Sequence, residues 1–120
     1  MQTFDLVIRR AQAVTASDIF HCDIGIRDGV ICALAKDLPS GTTEIDAAGR
    51  FVTPGGIDSH VHLDQPTGDS SIMADDFTSG TRSAACGGTT TLIPFAFQHK
   101  GGSLREAVED YHHRAGNDKA

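Results

Sequence analysis

The sequence turns on Phe51-Val52-Thr53-Pro54-Gly55-Gly56-Ile57-Asp58-Ser59-His60-Val61-His62-Leu63-Asp64. An apolar approach is broken by Pro-Gly-Gly, and a short strand-like run follows with two histidines one residue apart. Side chains of an extended strand alternate faces, so His60 and His62 point one way and Val61 the other. Two imidazoles on one face can share a metal ion, and a four-coordinate zinc needs at least one further ligand. The plainer alternative is a pair of strand-end histidines that bond to their neighbours. Position favours the metal: a strand ending in such residues, after Gly-Gly and before a polar loop with proline, is where α/β barrels keep their chemistry.

Upstream, residues 1–52 read as strand and turn with no helical period. Phe4 to Arg10 forms a strand with Phe4, Leu6 and Ile8 on one face, and Ala13-Val14-Thr15 is a second short run. From Phe20 the alternation is clean, with Phe20, Cys22, Ile24 and Ile26 apolar against His21, Asp23, Gly25 and Arg27. Asp28-Gly29 supplies the left-handed dihedrals of a type I′ turn, and Val30 to Ala35 returns as the partner strand. Leu38-Pro39-Ser40-Gly41-Thr42 is a loop, Glu44-Ile45-Asp46 a short strand, and Ala48-Gly49-Arg50 a turn. A half-buried sheet of this kind needs a cover.

Downstream of Pro54 the pattern becomes strand, loop, helix, strand, helix. Asp75 or Asp76 caps a helix in which Phe77, Gly80, Thr81, Ala84 and Ala85 recur at helical spacing, and Gly87-Gly88 ends it. This glycine pair precedes a strand, so it is not a phosphate loop. Thr89 to Ile93 is a β-branched run expected to be buried on both faces of a parallel sheet, with Pro94 near its end. Ser103-Leu104-Arg105-Glu106 has the form of a capping box, Leu104, Ala107, Val108, Tyr111 and Ala115 make the apolar stripe of one helix, and Gly116 is its terminator. His99 reads as a solvated loop histidine, and His112 and His113 as surface residues.

The net charge of −6 offers no basic patch for nucleic acid or an anionic membrane surface. Cys22, Cys32 and Cys86 are odd in number and widely spaced, so neither a disulfide framework nor a cysteine zinc site is indicated. The N-terminus lacks a basic region followed by an apolar run, and no run approaches membrane-spanning length. A cytoplasmic setting is expected. Two βα units do not close a barrel, which takes eight and typically about 250 residues. The chain therefore reads as the beginning of a longer protein.

Val52-Thr53-Pro54-Gly55-Gly56-Ile57-Asp58-Ser59-His60-Val61-His62 resembles the first-strand signature of the amidohydrolase superfamily. The continuation Leu63-Asp64-Gln65-Pro66, Ala74-Asp75-Asp76-Phe77, Ser79-Gly80-Thr81-Arg82 and Gly87-Gly88-Thr89-Thr90-Thr91 is similar to its dihydropyrimidinase and hydantoinase branch. The resemblance implies an α/β fold: the start of a (β/α)8 TIM barrel, with its first two βα units in 53–120, preceded in 1–52 by the all-β N-terminal part of a small β-sandwich domain. It implies that His60 and His62 bind the more buried metal of a one- or two-metal centre, usually zinc. The carboxylated lysine, two further histidines and catalytic aspartate of the family would lie beyond residue 120, so no catalytic residue is assigned within this chain.

Leu63 to Met73 resembles the first substrate-pocket loop of hydantoinases, opening with Leu63 and Asp64 as candidate substrate-binding residues. Gln65, Thr67, Asp69, Ser70 and Ser71 make that loop more polar than the apolar one of many hydantoinases; an ordinary surface loop is the plainer reading. In dihydroorotase-like relatives an arginine at the position of Asp64 holds a substrate carboxylate, so aspartate there argues against an acidic substrate. Asp58 either orients an imidazole or bonds within the barrel floor. The activity implied is metal-dependent hydrolysis of a cyclic amide, a dihydropyrimidine or a 5-substituted hydantoin, to an N-carbamoyl amino acid, in a homo-oligomer that is commonly a tetramer. The alternatives are an allantoinase-like or other amidohydrolase, and a truncated or non-catalytic dihydropyrimidinase-related protein.

Overall fold

The computed structural model describes residues 4–67 and 71–117. Asp69 and Ser70 of the expected polar loop lie outside them. The chain is a mixed, sheet-rich α/β structure that divides into two compact units, Met1–Pro54 and Gly55–Ala120.

The first unit is one five-stranded sheet of β1 (Phe4–Val14), β2 (Ile19–Arg27), β3 (Val30–Ala35), β4 (Gly41–Asp46) and β5 (Phe51–Val52). The order is β3-β2-β1-β4; β1 pairs antiparallel with β2 and parallel with both β4 and β5. The expected hairpin is present, with Asp28 at φ 50° and Gly29 at φ 73° between β2 and β3. The two short runs expected before it are instead one strand, interrupted by a bulge between Ile8 and Ala11 where Arg10 takes φ 53°. An inserted residue shifts the side-chain phase. Ile8 before the bulge pairs with Ile24 and Ala11 after it with Cys22, so even and then odd positions feed the same core. That core comprises Ala11, Ala13, Cys22, Ile24 and Ala47, with Ile8, Phe20, Ile26 and Val52 against it.

Phe4 departs from the face expected for it: its ring lies against Gly25 and beneath the Arg27 guanidinium, 5.7 Å away. Residues 47–50 swing out opposite the bulge and are tied back to it, Ala47 N–H to the Arg9 carbonyl, Gly49 N–H to the Arg10 carbonyl and Gln12 N–H to the Arg50 carbonyl, each at 2.9 Å. One excursion thus serves two strands on the same edge of β1.

The second unit contains β6 (Gly56–Val61), α1 (Phe77–Cys86), β7 (Thr89–Pro94) and α2 (Leu104–Asn117). β6 and β7 run parallel as a two-stranded sheet. Asp76 caps α1, accepting from Ser79 N–H at 2.7 Å while Ser79 Oγ accepts from Asp76 N–H at 3.1 Å. Gly87 closes the helix, and Gly88 at φ 90° turns the chain into β7. Leu63, Phe77 and Tyr111 form the core, with Val61, Leu92, Ala96 and Ala115 around them. The Tyr111 ring meets Phe77 edge-on at 4.9 Å, and its hydroxyl donates to the Leu63 carbonyl at 2.6 Å. Burial pushes the phenol's pKa up, which keeps it a donor.

Three expectations are corrected here. β7 is not buried on both faces: β6 is its one neighbour among the described residues, and Ile93 is 54% exposed. In α2 the stripe is only partly covered, since Leu104 and Val108 are exposed while Tyr111 is buried. Gly116 lies within α2 and does not stop it, because the glycine cost of about 1 kcal/mol relative to alanine is too small to end a helix unaided. No helix among the described residues is long and apolar enough to cross a membrane.

Tyr111 joins α2 to the segment that follows the histidine pair. Tyr111→Phe removes one donor and strands the Leu63 carbonyl in the core, which is expected to lower the local opening free energy by about 1–2 kcal/mol. Faster amide hydrogen exchange in α2, with the exchange of β1 and β2 unchanged, is the measurement that checks it.

Candidate metal site

β6 ends in an irregularity. Asp58 pairs with Leu92 and Val61 with Pro94, so three steps on β6 match two on β7. The Asp58 carboxylate accepts the His60 backbone N–H at 3.0 Å. Past the irregularity His60 and His62 lie side by side, their ring centroids 5.4 Å apart. Both are exposed.

A residue overlooked in the sequence supports them. Phe95 follows Pro94, the partner of Val61, so the parallel register carries it to the level of His62. Its ring stacks on His62 at 5.2 Å, with 12° between planes, and meets His60 edge-on at 4.5 Å. The readable signal was an aromatic residue immediately after the second parallel strand, at the same sheet end as His-x-His. Gln65 completes the group: Oε1 is 2.6 Å from His62 Nδ1, and Nε2 donates to the Phe95 carbonyl at 3.0 Å.

The two candidate substrate residues are placed differently. Leu63 is 4% exposed and turned into the core with Phe77 and Tyr111, so close to α1 that a side chain at Gly80 would collide with it. Asp64 takes φ 46°; its N–H donates to the Asp75 carbonyl at 3.1 Å, and Arg114 Nη1 donates to the Asp64 carbonyl at 2.6 Å and reaches the Asp64 carboxylate at 3.3 Å. Arg114 also lies over the Tyr111 ring at 5.4 Å. Leu63 and Asp64 are thus clamped to α2 through Tyr111 and Arg114, directly beyond the histidine pair.

His99 and His112 are exposed. Among the described residues no three or more His, Cys, Asp or Glu side chains converge as a metal-binding cluster. What the strand end offers is two imidazoles on one side, braced by an aromatic ring, a donor type suited to zinc and similar divalent ions.

Comparison with known proteins agrees with this arrangement. The profile described as the amidohydrolase family matches residues 51–116. The chain is 47% identical over 110 residues to a D-hydantoinase of Geobacillus stearothermophilus, covering 91% of this chain and 23% of that protein. It is 44% identical over 113 residues to the dihydropyrimidinase of Rattus norvegicus, covering 88% of this chain and 21% of that protein. The crystal structure of a D-hydantoinase from Bacillus sp. AR9 superposes with a TM-score of 0.84 at 44% identity, over 91% of this chain and 24% of that one. The chain therefore spans about a quarter of the length of these relatives. With the profile matched across the histidine strand, both helices and β7, the chain belongs to the amidohydrolase family.

Proposed function

We propose that the complete protein is a metal-dependent cyclic amidase of the hydantoinase and dihydropyrimidinase type, adding water across a ring amide. The carbonyl carbon gains the hydroxyl oxygen, the carbon–nitrogen bond breaks and the nitrogen gains a proton. Dihydrouracil would yield N-carbamoyl-β-alanine, and a 5-substituted hydantoin an N-carbamoyl amino acid. The observation that carries this reading is the paired His60 and His62 at the end of β6, within a chain more than two-fifths identical to enzymes with those names.

In this reading β6 and β7 are the first two strands of a (β/α)8 barrel, and residues 1–52 belong to a small sandwich domain. A divalent metal, zinc by preference, would when bound lower the pKa of water towards neutrality. His60 and His62 would hold it, Phe95 and Asp58 keep their strand end in place, and a carboxylated lysine, further histidines and the general base come from beyond residue 120. Leu63, buried against Phe77 and Tyr111, and Asp64, held by Arg114, would act by fixing the segment that follows His62 and not by touching substrate. The reading includes a cytoplasmic homotetramer as the form of the complete protein.

The test is turnover of dihydrouracil, 5-phenylhydantoin and allantoin by the complete, zinc-loaded protein. Turnover of either of the first two above allantoin is expected. Preference for allantoin would replace the proposal with an allantoinase-like enzyme, and inertness toward all three would leave a non-catalytic relative.

A further inference from the structure

Gln65 stands three residues beyond His62, and its side chain makes two contacts of opposite sense. Nε2 is 3.0 Å from the Phe95 carbonyl oxygen, and Oε1 is 2.6 Å from His62 Nδ1. A carboxamide has one donating and one accepting end, whereas a backbone carbonyl oxygen only accepts. Phe95 therefore decides which end of Gln65 is which. The oxygen faces His62 and can only accept, so Nδ1 must carry the proton. In a neutral imidazole this leaves the lone pair on Nε2.

The bracket around the ring is closed by the same residue. The Phe95 side chain stacks on His62 with 12° between planes while the Phe95 carbonyl holds the amide that holds Nδ1. Gln65 is itself fixed, its backbone N–H lying 3.1 Å from Met73 Sδ.

The geometry points to Gln65 as a positioning residue that, with Phe95, holds His62 as the Nδ1–H tautomer and presents Nε2 to a divalent cation. This rests on the metal reading above and adds to it the binding nitrogen and what selects it. An outer partner of this kind sets both the tautomer and the orientation of a ligand histidine, and losing one lowers metal affinity about 10–100-fold.

The experiment compares three forms of the complete protein: the natural one, Gln65→Met, which has similar length but no carboxamide oxygen, and Gln65→Glu, which keeps an acceptor. Nitrogen-15 NMR of the histidine rings in metal-free protein reads the tautomer, and competition with a chromophoric chelator reads zinc affinity. The natural protein and Gln65→Glu should show His62 protonated at Nδ1. Gln65→Met should show mixed tautomers and zinc affinity lower by about 10–100-fold, with the Tyr111 and Phe77 ring signals of the same unit unmoved as evidence of folding. An unchanged His62 tautomer in Gln65→Met, or an unchanged zinc affinity, overturns the assignment. If the natural protein shows the tautomer yet takes up no zinc, the metal reading fails and takes this assignment with it. Because the tautomer is read without metal, that failure is distinguishable from a failure of the Gln65 contact.

Discussion

His60→Ala or His62→Ala in the complete protein is expected to lower zinc affinity and cyclic-amide turnover by at least about 10³-fold. The magnitude follows from two comparisons. Loss of a group that merely orients a ligand costs about 10–100-fold in affinity, and loss of a ligand must exceed that. Without the ion, nothing would lower the pKa of the attacking water towards neutrality, so little hydroxide would form at neutral pH. The two rings lie 5.4 Å apart on one side of the strand end and share the Phe95 platform, so the variants should fail alike and the double variant should be little worse than either. His99→Ala and His112→Ala, at exposed positions, should change neither quantity by more than about twofold. Metal content by elemental analysis, measured beside turnover, decides the matter. A His60→Ala protein with full zinc and full turnover would remove the strand end from the chemistry.

The histidine pair was legible because its spacing is local: in extended backbone two residues one apart face one way, and the two rings at the end of β6 lie 5.4 Å apart. The hairpin and the α1 cap were legible for the same reason, since Asp28-Gly29 and Asp76 act on backbone groups within a few residues. What escaped the sequence depends on neighbours distant in the chain. Phe95 is 33 residues from His62 and comes to it only through the register of Val61 with Pro94. Arg114 clamps Asp64 from 50 residues away, a contact that no local pattern announces. Gln65 was visible as part of a polar loop, but its role requires the carbonyl of Phe95 on the next strand. The phase shift in β1 was hidden because a bulge has no fixed residue signature, and Arg10 there takes a left-handed φ without being glycine.

The same bulge sets up the second large effect: Asp23→Ala is expected to lower the opening free energy of β1 and β2 by about 2–4 kcal/mol. Alternation assigns Asp23 to the polar face of β2, but the structure leaves it only 8% exposed. The bulge turns the Arg10 backbone N–H onto Oδ1 at 2.9 Å, while Oδ2 receives Arg9 Nη1 at 2.8 Å and the Leu38 N–H at 3.2 Å. Removing the carboxylate leaves the Arg10 and Leu38 N–H groups without this acceptor and takes one partner from the Arg9 guanidinium, which keeps the Leu38 carbonyl and Glu44. Burial alone pushes this carboxyl's pKa up; the hydrogen bonds from Arg10, Arg9 and Leu38 outweigh it, and the net shift is downward. A group whose pKa is depressed on folding contributes its stability above its unfolded value, near 3.9, and loses it as the pH falls through the lower folded value. The natural protein should therefore hold β1 and β2 protected at neutral pH and lose protection below about pH 4, whereas Asp23→Ala should begin weaker and fall less steeply there. Hydrogen exchange across that range, read on β1 and β2 amides, separates the two slopes. Equal slopes would mean that the acid response belongs to the exposed Arg10–Asp46 and Arg9–Glu44 pairs and not to the bulge.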